Sequence, residues 1–251
     1  WRCGFEHARS VGNHFKRRYS AGVQRLQAFL GNGMMFDYIL FDFDGTLMDT
    51  SKGVFNSFDK VVAHYGLKVD RAVYNTMIGP PLKESFSKTL KLPENEIQNA
   101  MQVYRNYYAE KGMFEAELYS GVVELMKNLR AAGKKIFVAT SKPEVYAKQI
   151  LERKGILNLF DFVGGSDLEE KSRVEKCDVV KYVLESNGIS GEKEKCILIG
   201  DRHYDVDGAH SAGIKCAGIL WGFGAKEEFE NCGADFIFES PKNVEAFLIQ
   251  N

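Results

Sequence analysis

Ile39-Leu40-Phe41-Asp42-Phe43-Asp44-Gly45-Thr46 reads as an apolar strand that runs into two carboxylates and a turn. On an extended chain alternate side chains share a face, so Asp42 and Asp44 project together while Phe41 and Phe43 point away. Two carboxylates this close repel each other, and near neutral pH they need a cation or a retained proton. Gly45 allows a sharp turn and a close approach to a ligand. Taken alone, the same residues also fit an Asp-Gly turn that closes a strand.

Working outward, short apolar runs alternate with helical patterns along the rest of the chain. Strands are predicted at 36–41, 135–139, 160–163, 195–199, 215–219 and 235–238. Helices are predicted near 122–132, 144–154, 175–187, 206–212, 226–230 and 243–249, with Gly133, Gly155, Gly188 and Gly213 placed where helix C-termini favour a left-handed residue. Such alternation implies an α/β fold, a doubly wound parallel sheet covered on both faces. Asp42 and Asp44 then lie at the carboxyl end of the first strand, the edge where open α/β sheets place ligands. The stretch 50–119 breaks the rhythm: it has no convincing strand and four amphipathic segments, at 51–65, 71–77, 82–90 and 94–110. In the last, Ile97, Met101, Tyr104 and Tyr108 recur at helical spacing. This is the pattern of a helical cap inserted after the first strand, dividing the chain into a core (35–49 and 120–251) and a cap (50–119).

Two more strand ends carry polar clusters. Cys196-Ile197-Leu198-Ile199-Gly200-Asp201 closes a strand on an acid, and Asp205 follows four residues later, either capping the next helix or joining the acidic cluster. With the first pair, these acids make an oxygen-rich site suited to a hard cation such as Mg²⁺. Ile136-Phe137-Val138-Ala139-Thr140-Ser141-Lys142-Pro143 ends a strand in hydroxyls before a proline-opened helix. Thr140 or Ser141 could bind an anion at that helix start, or simply cap it. Lys171, Lys176 and Lys181 lie between the third and fourth strands, where one of them could reach an anion.

Composition narrows the function classes. The 251 residues carry 33 basic and 34 acidic side chains, a net charge of −1, without the basic surplus of a dedicated nucleic-acid binder. No apolar run is long enough to span a membrane. The cysteines at 3, 177, 196, 216 and 232 are odd in number, widely spaced and free of any CxxC, which fits reduced thiols in a cytoplasmic setting. Residues 1–34 form a basic, acid-poor leader that starts at Trp1, with Met34 and Met35 just before the first strand. It reads as an upstream extension outside the fold, or as an organelle-targeting segment.

The order Asp42-x-Asp44-Gly45-Thr46, then Thr140, then a lysine, then Gly200-Asp201-x-x-x-Asp205 resembles the haloacid dehalogenase (HAD) superfamily, and within it the phosphoglycolate-phosphatase-like branch. The likeness runs from Met35 to the C-terminus. It implies that Asp42 is the nucleophile, Asp44 the general acid/base, and Thr140 a phosphoryl-binding group. Asp42, Asp44 (through its backbone carbonyl), Asp201 and Asp205 would hold Mg²⁺. Gly45, Thr46 and Ser141 would border the substrate. The insertion matches the C1-type cap, and Ile78-Gly79-Pro80-Pro81-Leu82 its loop facing the active site, which brings Gly79 and Pro80 to the substrate as well. The Lys-Pro pair that often marks the third motif is absent. Lys176, opening a helix in Glu175-Lys176-Cys177-Asp178, is the best match, with Lys171 as the alternative; Lys142-Pro143 belongs to the second motif. The resemblance implies a Mg²⁺-dependent phosphatase acting on a small phosphomonoester, phosphoglycolate-like or nucleotide-like, as a monomer or homodimer with no nucleic-acid or membrane partner. A phosphomutase or other phosphotransferase is the alternative within enzymes, and a non-catalytic binding module the alternative outside them.

Overall fold

The computed structural model describes residues 35–78, 80–168 and 171–249, so the expectations for the leader 1–34 and for Gly79 lie outside the described residues. Strand β1 (Tyr38–Phe41) runs into the acidic turn, β2 (Met48–Asp49) leads into the helical insertion, and β3 (Glu117–Leu118) returns from it. Then follow β4 (Lys135–Pro143), β5 (Phe162–Ser166), β6 (Cys196–Gly200), β7 (Lys215–Ile219) and β8 (Phe236–Phe238). Six of these form one parallel sheet in the order β5-β4-β1-β6-β7-β8. β1 is central, with Phe41 in register with Val138 on one side and Ile199 on the other. All six expected strands are present.

The insertion carries α1 (Ser51–His64) and α2 (Ile97–Glu110); the core carries α3 (Val122–Ala131), α4 (Glu144–Arg153), α5 (Lys176–Ser186), α6 (His203–Ala212), α7 (Lys226–Cys232) and α8 (Pro241–Ile249). Helices α5 and α6 pack on one face of the sheet, α3 and α4 on the other. That two-sided cover explains why β1 and β6 are apolar at every position: Ile39, Leu40, Leu198 and Ile199 are fully buried. The four glycines expected at helix ends all have positive φ. No helix among the described residues is long and apolar enough to cross a membrane.

Three details differ from the expectation. Residues 117–118 of the supposedly strand-free insertion pair antiparallel with β2, Met48 opposite Leu118. Two residues per strand are too few to show a period. The segment Arg71–Met77 is a 3₁₀ rather than an α-helix. There Asn75 and Thr76 donate from their side chains to the carbonyls of Ala72 and Val73, competing with the regular ladder. Third, Leu82–Glu84 is a single helical turn that widens into a π-type turn, Ser85–Thr89. The insertion has an aromatic core of its own around Phe58, whose ring centroid lies 5.3 Å from Tyr74, 6.1 Å from Phe86 and 5.2 Å from Tyr104.

Helix α1 meets the turn Gly112–Glu115 backbone to backbone: a Cβ at Gly53 would lie 1.8 Å from the Gly112 carbonyl oxygen. Alanine gains about 1 kcal/mol over glycine in a helix interior, but overpacking against an unyielding backbone costs about 1–3 kcal/mol. Gly53→Ala should therefore lower stability despite its better helix propensity, as a reduced urea midpoint at unchanged m-value. A raised midpoint would show that α1 and the turn move apart freely.

Candidate active site

The sheet order sets the site. Asp42 follows β1 directly, and its N–H donates to the Ile199 carbonyl at 2.9 Å, which holds it beside the end of β6 where Asp201 emerges. Lys176, the first residue of α5, reaches back over the same edge. Its Nζ donates to Asp42 Oδ1, to Asp205 Oδ1 at 2.8 Å and to the Ala139 carbonyl of β4 at 3.0 Å. All four charged groups, Asp42, Lys176, Asp201 and Asp205, are buried. Lys171 does not line the cavity; its N–H donates to Asp167 Oδ1 at 3.1 Å in a loop.

Burial has a large electrostatic effect here. It pushes the Asp42 carboxyl up to about 7, against the pull of Lys176 and with the charge of Asp205 adding to the rise. It pushes Asp201 well above the usual carboxylate range, again with Asp205 and Asp42 adding. Burial alone would lower Lys176, yet Asp205 and Asp42 outweigh it and the ammonium is held above its ordinary value. One lysine does not balance three acids. Asp42, Asp201 and Asp205 each offer an oxygen, and these oxygens lie within 4.8 Å of one another. A buried, all-oxygen donor set short of positive charge fits a hard divalent cation such as Mg²⁺.

Asp205 serves both of its expected roles. Oδ1 meets Lys176, while Oδ2 accepts from the Arg202 N–H at 3.1 Å at the start of α6. Asp201 is fixed by the turn after β1 and by a later loop: Thr46 donates to its Oδ1 at 3.4 Å and the Phe223 N–H to its Oδ2 at 2.8 Å. Gly45 has φ +86°, and a Cβ there would lie 2.1 Å from Asp201 Oδ2. Gly45 and Thr46 thus belong to the turn that holds Asp201 rather than to the cavity wall.

The carboxylate of Asp44 stands apart from the cluster. Its Oδ2 pairs with Lys142 at 2.9 Å, and the buried Lys142 Nζ also donates to the Tyr108 hydroxyl of α2 at 2.7 Å. Asp44 Oδ1 is buried with no hydrogen-bond partner among the described residues. Sequence reading assigned Lys142 only to its motif and Tyr108 to a packing stripe, and so missed this contact. Thr140 and Ser141 line the cavity, and Thr140 accepts from the Lys142 N–H at 3.1 Å. Helix α4 has no side-chain cap, so neither hydroxyl is used as one. Ser166, at the end of the neighbouring β5, is a further cavity residue; its hydroxyl is buried and unpartnered among the described residues.

The cavity has a volume of about 510 Å³ and lies between the sheet edge and the insertion, with Pro80 among its lining residues. Arg202 spans both sides: Nε donates to Glu228 Oε1 at 3.0 Å and Nη1 to the Ile78 carbonyl at 3.1 Å. Lys83 turns outward to Glu94 at 2.7 Å.

Residues 39–219 match the haloacid dehalogenase-like hydrolase family. The chain belongs to that family. Among relatives of this HAD protein, a 5′-nucleotidase of Pseudomonas aeruginosa is 34% identical over 78% of this chain and 87% of its own. A protein of Mycobacterium tuberculosis named tyrosine-protein kinase PtkA is also 34% identical, over 82% and 67%. A solved structure from Clostridium acetobutylicum, described as a predicted phosphatase, superposes with a TM-score of 0.81 at 38% identity, covering 86% of this chain and 100% of that one. The protein is a HAD-type phosphatase, a phosphoric monoester hydrolase.

Because the folded state raises Asp42 from 3.8 to about 7, ionising it destabilises the metal-free fold. That penalty is absent below about pH 4, builds as pH rises, and is complete above about pH 7. In chelator, Asp42→Asn should thus be the more stable protein at about pH 8, with the gap closing toward about pH 4. Millimolar Mg²⁺ should narrow it at the higher pH. Thermal melts of both proteins across pH, with and without Mg²⁺, check this; a pH-independent gap would refute it.

Proposed function

We propose that this HAD phosphatase hydrolyses a small phosphomonoester through an aspartyl-phosphate on Asp42, with Mg²⁺ held by Asp42, Asp201, Asp205 and the Asp44 backbone carbonyl. The observation that carries the reading is the division of two neighbouring carboxylates between two lysines: Asp42 on Lys176, Asp44 on Lys142. Bound Mg²⁺ would neutralise the phosphoryl oxygens and draw the dianion among the acids. Lys176, Thr140 and Ser141 bind the same oxygens and orient phosphorus toward Asp42. An Asp42 oxygen forms a bond to phosphorus as the ester P–O bond breaks, and a proton from Asp44 passes to the departing alkoxide. Water then attacks the phosphoryl group, Asp44 takes its proton, and phosphate leaves with Asp42 restored. Lys142 engages Oδ2 of Asp44, which leaves Oδ1 as the oxygen to carry that proton. The insertion 50–119 acts as the cap over the core 35–49 and 120–251, excluding water and selecting the leaving group. Free thiols at Cys177, Cys196, Cys216 and Cys232 favour a reducing, cytoplasmic setting.

A second reading, transfer to an acceptor other than water, is favoured by the relative named as a kinase. Adding a large excess of an acceptor alcohol separates the two: hydrolysis yields inorganic phosphate equal to the alcohol released, whereas transfer yields less.

Asp42→Asn should lower phosphate release by about a thousandfold or more in saturating Mg²⁺, as should chelation of the wild type. Undiminished turnover in the variant would exclude Asp42 as nucleophile. Asp44→Asn should slow alkyl phosphates more than aryl phosphates by about tenfold or more, because aryloxides need less protonation on leaving. Equal losses on both would remove Asp44 from the acid role.

A further inference from the structure

The charges around the cavity restrict the substrate beyond its phosphoryl group. Among the described residues four basic side chains line it: Arg105, Lys142, Lys176 and Arg202. Lys176 is taken by Asp42 and Asp205, and within the proposed reaction it faces the phosphoryl oxygens. Lys142 is buried between Asp44 and Tyr108, with its ammonium 4.9 Å from the Tyr108 ring centre and 5.7 Å from that of Phe43. Arg202 is held by Glu228 and the Ile78 carbonyl, and Arg105 is not free either. Beyond the Asp42–Asp205 cluster and Asp44 the lining includes three more acids, Glu84, Glu175 and Asp207. A second anionic group on a substrate would enter this space without an unengaged cation among the described lining residues to meet it, and burying an unpaired charge costs several kcal/mol.

What faces the leaving group is apolar and ringed. The insertion contributes Leu82 and Tyr104, and α4 contributes Tyr146, half-buried and set edge-to-face against Tyr108 with centroids 5.8 Å apart. Such walls suit a flat, uncharged body, and the volume falls within the usual range of small-molecule sites.

We propose that the substrate is the monophosphate of an uncharged, ring-bearing alcohol such as a nucleoside, and that the cavity discriminates against phosphate esters bearing a second anionic group. The proposal rests on the phosphatase reading for its chemistry, and on the paired cations and ringed wall for its specificity.

Initial rates of phosphate release by the full chain with Mg²⁺ test it, using adenosine 5′-monophosphate, phenyl phosphate, ethyl phosphate, 2-phosphoglycolate and pyrophosphate. The ring-bearing esters should exceed 2-phosphoglycolate and pyrophosphate in kcat/KM by about tenfold or more. Tyr146→Ala should reduce the advantage of phenyl over ethyl phosphate about threefold to tenfold, and Leu82→Lys should shift the ranking toward 2-phosphoglycolate. Equal or better use of 2-phosphoglycolate or pyrophosphate by the wild type would overturn the proposal, as would an unchanged phenyl-to-ethyl ratio in Tyr146→Ala. Ligand-induced melting shifts of Asp42→Asn read the same ranking without turnover. Absence of hydrolysis in the wild type would count against the phosphatase mechanism, whereas a preference of Asp42→Asn for 2-phosphoglycolate would count against the specificity.

Discussion

Lys176 is the interaction on which the site's architecture depends. Its ammonium contacts Asp42 after β1, the Ala139 carbonyl of β4 and Asp205 in α6, so one buried cation ties together the ends of separate elements. Losing such a partner would leave carboxylates unpaired in a low-dielectric interior, a defect of about 3–5 kcal/mol. The tie is possible only because β1 is central in the sheet, with β4 on one side and β6 on the other. The crossover through β5 then returns the start of α5 to the same edge. Topology and charge are therefore one constraint: a strand order that parted β1 from β4 or β6 would separate Lys176 from at least one of its partners.

The second lysine does a different job. Lys142 keeps the Asp44 carboxylate out of the acidic cluster, and its contact with Tyr108 joins Asp44 to the insertion. Tyr108 stacks on Tyr104, which packs against Phe58 in the insertion's aromatic core. The Asp44 carboxylate, the proton carrier of the proposed mechanism, is thus positioned partly by Tyr108, 64 positions further along the chain. A movement of α2 would alter the Lys142 contact before it disturbed Asp42, whose own partners all belong to the core.

Much of this was legible in the sequence because it follows from runs of residues. Apolar stretches ending in Asp42, Thr140 and Asp201 identify three strand ends, and the parallel sheet brings them to one edge. The sequence favours Lys176 over Lys171 because it opens a helix, and in the structure Lys176 opens α5. What was missed depends on single contacts across the fold. Tyr108 completes the stripe Ile97, Met101, Tyr104, Tyr108, whose spacing suggests core packing, and all four are indeed buried; periodicity does not show that its hydroxyl meets a lysine. Ser166 ends a strand as serines often do, and only the folded structure leaves its hydroxyl buried in the cavity that Thr140 also lines. Helix α6 begins at His203, three residues before the expected start, because the bond from Arg202 N–H to Asp205 Oδ2 organises its first turn.

Relatives named for nucleotide hydrolysis and for tyrosine phosphorylation stand at the same identity to this chain, so the shared core does not by itself choose the acceptor. The charged sheet edge would activate phosphorus equally for water or for a hydroxyl group. The difference must lie in access. In the conformation described, Arg202 links the core to the insertion through the Ile78 carbonyl, and Tyr108 links the insertion to Lys142. Ile78, Arg202, Tyr108 and Lys142 all line the cavity, so in the proposed mechanism these two contacts bear on which acceptor reaches phosphorus, without any change in the groups that perform the chemistry.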